Sequence, residues 1–442
     1  MLRPWVLVLA LVCPLEARAD EPTRWTWDAI VAELAHHPVM TAARAGLDQL
    51  EAKLGQAEWA IFPSFDLDAA ITLTPKVTGD ALRSHSDWGT IGVYGFVEVT
   101  MVQPLWTFGK ISEARLAAEA GVEAGNAAIA IAKNDLLVRA AEAYYGRLLA
   151  LELDAILEEG KGWITKAEAR MAKLRAEDSP KYDQSEDLEL QVRMADFATL
   201  QAKNRALAMQ SGQALRLLLR EPAGVAIALA DNHLDPIPCV LHDAEWYVAA
   251  ARGHDPVVRA ATSNVRVQEH LAGVRDADLL PDLVLLGNAA FARATEIENQ
   301  PSLFARDPYR RLSAGAALAL RWKLDLAQRS FVADEARARA ARANAELTVT
   351  EDRAELHVRE LVQELVNDQE LIQVLGKAQR TAQGWLAATW DTYSAGLSPF
   401  NDVMDALVQF YQKKFGYLQL VFEHDVTIWR LNQAVGSDVC GP

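Results

Sequence analysis

Two hydrophobic periods alternate along this chain, and each predicts a different element. Leu47, Leu50, Leu54, Ala57 and Ile61 recur at spacings of three and four, which puts them on one face of a helix that stops at Pro63. After that proline the period becomes two: Phe65, Leu67, Ala69, Ile71 and Leu73 alternate with Asp66, Asp68, Ala70, Thr72 and Thr74. This predicts a strand with two unlike faces over about 64–74. A polar connection over residues 75–90 leads to a second alternating run over about 91–103, with Ile91, Val93, Val97, Val99 and Met101 on one side. The later half of the chain repeats the order. A helix over 257–279 precedes strands over about 282–292 and 311–322, and the segment 293–311 between them is polar and holds Pro301 and Pro308. Four strands of about ten residues are thus expected, the length that crosses a bilayer at a tilt.

Long helices follow each strand pair. No proline occurs over residues 105–179 or 309–398. In the first stretch every seventh residue is apolar at Val122, Ile129, Leu136, Ala143, Ala150 and Leu157. In the second, Leu326, Ala333, Ala340, Leu347, Ala354, Leu361, Leu375 and Ala382 keep the same spacing, with Asp368 the single exception. A sustained seven-residue repeat belongs to helices that supercoil around neighbours. At ~1.5 Å per residue, helices of about 60 to 70 residues are roughly 100 Å long, far more than a globular core uses.

The two halves are a tandem repeat. His36-His37-Pro38 recurs as His254-Asp255-Pro256, and Phe62-Pro63-Ser64 as Leu280-Pro281-Asp282, both displaced by 218 residues. Ser179-Pro180 with Asp183 recurs as Ser398-Pro399 with Asp402, displaced by 219. Several matches at nearly one offset define the repeat better than any one pair does. The organisation expected is a first repeat over 20–220, with a helical hairpin over about 108–220. A proline-containing linker follows over 221–242. The second repeat spans 243–442, with a hairpin over about 328–435 and a short C-terminal tail.

Residues 1–19 stand apart as a secretory signal: Arg3 precedes an apolar run from Trp5 to Val12, and Ala17-Arg18-Ala19 offers a cleavage site. Cleavage there changes the formal charge from −16 to about −17, and so acidic a chain argues against a nucleic-acid partner. Only Cys239 and Cys440 remain, and the sequence leaves their pairing open. Beyond the signal no run of eighteen apolar residues exists, so any insertion into a membrane must use the strands. Open strand edges leave backbone groups unsatisfied in lipid, and four strands are too few to close a barrel, so the chain must oligomerise in order to insert.

The chain resembles the TolC family of outer-membrane efflux proteins over nearly its whole mature length. The resemblance rests on Asp28-Ala29-Ile30 with His37-Pro38, on Ala60-Ile61-Phe62-Pro63, and on Val102-Gln103-Pro104-Leu105-Trp106-Thr107-Phe108-Gly109-Lys110. The last is similar to the family's strand-to-helix junction. The second junction, Leu320-Arg321-Trp322-Lys323-Leu324-Asp325, lacks its proline and glycine. The fold class implied is an α+β membrane protein. A long antiparallel α-helical coiled-coil barrel continues into a β-barrel shared between subunits, with four strands per chain and twelve in a homotrimer. The resemblance further implies an outer-membrane channel extending into the periplasm and serving as a passive conduit for small molecules. Its implied partners are outer-membrane lipid, a periplasmic adaptor and an inner-membrane transporter. The outer-membrane component of a type I protein secretion system would share this architecture.

Chemistry is expected to concentrate at the turn before the last helix, Tyr393-Ser394-Ala395-Gly396-Leu397-Ser398-Pro399-Phe400-Asn401-Asp402-Val403-Met404-Asp405. Asp402 and Asp405 are three apart and share a helical face. Spacing alone favours two acids that merely suit a helix start, whereas the resemblance places them as a ring of carboxylates at the periplasmic entrance. Asp183 is the repeat equivalent of Asp402, and Asp187 lies one turn on. The resemblance also assigns Tyr393 to contacts that hold the tip closed. Ser398 stands where a basic residue is expected, with Lys181 of the other hairpin as a substitute. No cofactor is expected, and no metal site, since His36, His37, His233, His242 and His254 lack ligand spacing. Trp88 near a strand end is a candidate interfacial anchor.

A periplasmic adaptor would need one hairpin and a small β-domain, where this chain has two full sets of elements. An enzyme has no residues to rest on, since there is no nucleophile elbow, His-Glu-x-x-His or phosphate-binding glycine loop.

Overall fold

The computed structural model describes residues 24–79, 83–179, 182–225, 227–299, 307–395 and 397–440. The signal segment and Lys181 lie outside the described residues. In chain order the elements are β1 (Arg24–Trp25), α1 (Trp27–Leu34), α2 (Pro38–Trp59), β2 (Ser64–Gly79), β3 (Ser84–Trp106), α3 (Lys110–Ala176) and α4 (Gln184–Leu218). These are followed by β4 (Ala228–Leu229), α5 (Ala244–His254), α6 (Pro256–Ala277), β5 (Asp282–Ala294), β6 (Arg310–Arg321), α7 (Leu326–Ser394) and α8 (Phe400–Val435). No described helix is long and apolar enough to cross a membrane.

The two long helices contain 67 and 69 residues. Their seven-residue register is visible in burial: Leu136, Ala143, Ala150 and Leu157 of α3 are buried, as are Ala333, Leu361 and Ala382 of α7. Asp368 is buried at the same register position, so the one polar residue in the series does not interrupt the packed stripe.

Contacts divide the chain into two units, residues 1–37, 136–239 and 364–430 in one, and 38–135, 240–363 and 431–442 in the other. The first unit is helical. Ala167, Met171, Leu190, Met404 and Leu407 form a buried cluster in it, flanked by Trp163, Tyr182 and Phe400. The segment between the repeats is fastened here: β4 pairs in parallel with β1, Tyr144 donates to Asp231, and the Ile237 N–H donates to Asp425 Oδ1 at 2.9 Å. Cys239 and Cys440, whose state the sequence leaves open, are disulfide-bonded.

The second unit holds a four-stranded sheet in the order β2-β3-β5-β6, antiparallel throughout. Helix α2 packs close to α3 at Gly125, where a Cβ would come within 2.8 Å of Leu50 Cδ1, so glycine permits the approach. At the strand-to-helix junction Phe108 and Gly109 take positive φ values of 51° and 92°, the turn that the glycine of the motif serves. Lys110 then bridges Asp278 at 3.2 Å and Asp282 at 2.9 Å, tying the start of α3 to the end of α6 and the start of β5.

Three expected boundaries are corrected. Residues 75–90 are not a polar connection, because β2 and β3 stay paired through most of them, out to Gly79 opposite Ser84. The register shifts between Pro75 and Lys76, opposite Ile91 and Asp87, so that Trp88, Gly89 and Thr90 are extra residues in a bulge. Pro75 has no N–H to give the ladder, and the bulge absorbs that gap. Beyond it the backbone pairs whatever the polarity of its side chains, since its N–H and C=O groups need partners. Asp87 holds the bulge, accepting from the Gly89 N–H at 2.9 Å and the Thr90 hydroxyl at 3.2 Å. Trp88 thus stands on a bulge and is exposed. The second correction is at α2, which ends at Trp59, before Ile61, because the chain turns through Ala60 and Phe62 ahead of the proline. The third is at β5 and β6, which reach Ala294 and begin at Arg310, taking both ends of the supposed 293–311 connection into the ladder.

Candidate functional site

Antiparallel pairing sorts the sheet's side chains into two faces, since residues directly opposite one another point the same way. One face carries Phe65, Leu67, Ala69, Ile71 and Leu73 of β2 beside Met101, Val99, Val97, Gly95 and Val93 of β3. It continues across Gly287, Ala289 and Phe291 of β5 to Ala316, Ala314 and Leu312 of β6. Its residues toward the edge strands are the most presented, Ile71 being 81% and Leu312 86% exposed, while Val99 and Met101 in the middle are half-buried. The other face carries Asp66, Asp68, Thr72 and Thr74 together with Glu98 and Thr100. There Glu98 accepts from the Asn288 amide at 2.7 Å and pairs with Arg311 at 3.1 Å. Strands β2 and β6 are the edges of this sheet, and at its far end β2 also bonds the segment after β5, Val77 donating to the Glu296 C=O at 3.0 Å and accepting from the Glu298 N–H at 2.9 Å.

The second candidate region is the helical tip in the first unit. Asp402 and Asp405 sit in the first turns of α8 with their side chains exposed. Asp405 Oδ1 lies 2.5 Å from Arg193 Nη2, a guanidinium on α4 that also binds Glu189. The sequence shows Arg193 only as an i+4 partner of Glu189. Its reach to a residue 212 positions away carries no sequence signal. Tyr393 does not meet the aspartates. Its ring packs on Trp390 and Phe400, and the Arg170 guanidinium lies 5.2 Å from its centroid. Asp183 is the N-cap of α4, accepting from the Ser185 N–H at 2.7 Å. Asp187 pairs with Arg175 and accepts from the Tyr182 hydroxyl at 3.1 Å. Ser398 reaches Thr392, hydroxyl to hydroxyl at 3.3 Å.

The repeat alignment places Asp183 and Asp402 alike, yet the structure separates them. Asp183 precedes its helix, while α8 has already begun at Phe400. Only one of the two is therefore spent on capping a helix.

A buried acid lies further along α7. Asp368 is 7% exposed, its Oδ2 has no hydrogen-bond partner, and neither does Nε2 of buried His424. Burial first, then the charge of Glu364, raise the Asp368 pKa to about 6, against a pull from His424 and with a further push from Glu423. An acid whose pKa is raised by folding favours the native state while protonated, and that benefit is lost as pH rises from about 4 through about 6. Asp368→Asn is expected to raise the melting temperature by a few degrees near neutral pH and to change it much less near pH 4. Thermal melts at the two pH values check this, and an equal shift at both would remove the buried charge from the explanation. Among the described residues no group of three or more potential ligands is arranged to hold a metal.

The four-stranded antiparallel sheet and the two helices of nearly 70 residues make up a fold already known. Solved structures share it along almost the full chain. The outer-membrane channel OprN superposes with a TM-score of 0.74 at 18% identity, covering 94% of this chain and 91% of its own. CusC, described for its folding and transmembrane channel formation, gives 0.73 at 15%, covering 98% and 99%. The CmeC outer membrane channel of Campylobacter jejuni gives 0.74 at 14%, covering 94% and 87%. No protein-family model matches the chain, and no curated protein does. The fold is the TolC type that the sequence motifs resemble.

Proposed function

We propose that this chain is one subunit of a passive trimeric channel in a bacterial outer membrane. It would extend into the periplasm and export small molecules together with a periplasmic adaptor and an inner-membrane transporter. The observation that carries this reading is the sheet, which has one continuous apolar face, one polar face and two edge strands, β2 and β6, that pair with no second strand of the sheet. An apolar face that is two-thirds or more exposed at Leu67, Ile71, Leu312 and Leu318 is stable only against lipid or another protein. Free edges in lipid must pair, and pairing β6 of one copy with β2 of the next closes a barrel of twelve strands from three copies. The polar face, with Asp66, Asp68 and Glu98, then lines water. Leu188, Val192 and Met209 of α4 and Leu371, Val374 and Trp385 of α7 are likewise exposed, and they suit contacts between neighbouring copies of the helical wall.

The tandem repeat supports the same reading, because two similar halves in each of three copies give near-sixfold packing of the helices. At the tip, Asp402 and Asp405 are the proposed entrance constriction. Tyr393, Asp183, Asp187 and Lys181 are proposed tip and gate residues, the structural partners of the first three lying within their own chain.

The assembly is tested by light scattering of the purified full chain in detergent and by recording in planar bilayers. Three copies per particle and discrete conductance steps are expected. A monodisperse monomer that stays in solution without detergent and leaves bilayers silent would overturn the proposal.

A further inference from the structure

Arg293 of β5 and Arg310 of β6 are directly opposite each other in the ladder, one step beyond the Phe291 and Leu312 pair. Alternation puts both on the apolar face, in the row that runs Ile71, Gly95, Arg293, Arg310 across the four strands. Among the described residues on this face from Phe65 to Leu73, Val93 to Met101, Leu283 to Arg293 and Arg310 to Leu320, they are the only charged side chains. Both are exposed. Among the described residues neither guanidinium has a carboxylate at ion-pair distance, although Arg311 on the opposite face does.

Like charges placed directly opposite on a sheet repel, so the pair costs stability unless an anion lies between them. Two guanidiniums on adjacent strands offer two forks of N–H donors at a spacing that one phosphate can bridge. A shallow groove of about 560 Å³ adjoins Arg293, lined by Ile71, Gly95, Val97 and Phe291 among others. Gly95, opposite Arg293, has no side chain, which leaves apolar room beside a cationic rim.

Position along the strand completes the argument. Arg293 lies ten residues from Leu283, which at ~3.4 Å per residue and a tilt near 40° is roughly 25 Å along the membrane normal. That is about the height of the apolar band of a membrane barrel, so the pair sits where headgroups begin. It is also at the end of the strands away from α3 and α7, and therefore at the outer leaflet if the helices lie in the periplasm.

We infer that Arg293 and Arg310 bind the phosphate of an outer-leaflet glycolipid, with an acyl chain against the groove beside Gly95. This rests on the reading of the sheet as a membrane wall. The full chain in detergent is first sized for its assembly, which tests that reading alone. Delipidated protein is then titrated with diphosphoryl lipid A, with dephosphorylated lipid A and with inorganic phosphate, and binding is followed by native mass spectrometry and thermal shift. Diphosphoryl lipid A is expected to bind at least tenfold tighter than the dephosphorylated form and to raise the melting temperature. Arg293→Gln with Arg310→Gln is expected to lose that preference, while Arg310→Lys keeps part of it. Should the double variant assemble poorly, the preference of the unaltered chain for the phosphorylated lipid decides. Equal binding of the two lipids by the unaltered chain would overturn the inference, as would full preference in an assembled double variant. Equal stabilisation by inorganic phosphate alone would overturn it too, since the site would then hold an anion and not a lipid.

Discussion

Alanine at both Asp402 and Asp405 is expected to raise the concentration of divalent cation needed to block the channel by tenfold or more. In the proposed trimer three copies would bring these residues together at the entrance, and a divalent ion near several carboxylates gains between ~1 kcal/mol per charge in water and a few times that beside protein. Since about 1.4 kcal/mol is a factor of ten, losing even one effective contact accounts for the expected change. The two aspartates are not equivalent. Arg193 compensates Asp405 at 2.5 Å, while Asp402 is exposed in the first turn of α8. Asp402→Ala alone should therefore reproduce most of the double variant's effect. Asp405→Ala should release the Arg193 charge toward Glu189 and change the block less. Single-channel recordings with graded calcium or magnesium on both sides measure this. Identical conductance and identical cation sensitivity in the double variant and the parent would remove Asp402 and Asp405 from the entrance.

The second large effect is expected from Ala316→Arg. Ala316 is opposite Gly287, exposed, and close to the middle of the apolar face of β6. A charged residue near the midplane of a membrane barrel costs roughly 2–4 kcal/mol, and a threefold assembly meets that cost three times. Such a sum rivals the whole stability of an ordinary domain, so little assembled trimer should reach the outer membrane. Ala317→Arg, one residue later and on the opposite face, which the proposed barrel turns to water, should assemble nearly as well as the parent. Heat-modified mobility on gels and the yield of trimer in outer-membrane fractions read both variants. Equal assembly of the two would mean that the apolar face does not contact lipid.

Much of this architecture is legible along the chain because helices and strands are repeating local objects. The seven-residue spacing of Leu136, Ala143, Ala150 and Leu157 emerges as a buried stripe. The period-two run from Phe65 to Leu73 emerges as one face of a sheet. Local rules fail at their exceptions. Pro75 suggested the end of a strand, but a three-residue bulge lets the ladder continue past it. Arg293 broke the apolar alternation of β5 and was assigned to a connection, although the backbone carries it on as strand. Asp368 stood out as a break in the heptads and is instead buried within them.

The candidate entrance divides in the same way. Asp402 and Asp405 were readable as a pair on one helical turn, because a spacing of three is a property of the helix itself. That Asp405 meets Arg193 depends on how two hairpins more than two hundred residues apart along the chain come to lie together, whereas Asp187 meets Arg175 within one hairpin and Asp183 caps α4 through its near neighbour Ser185. By itself, then, the sequence determined which elements form and which face of each is apolar, since both follow from neighbours within a few residues. Only the tertiary structure decided which charges are neutralised, where the strand register slips and which arginines face outward. Those are relations between distant segments, and no local period encodes them.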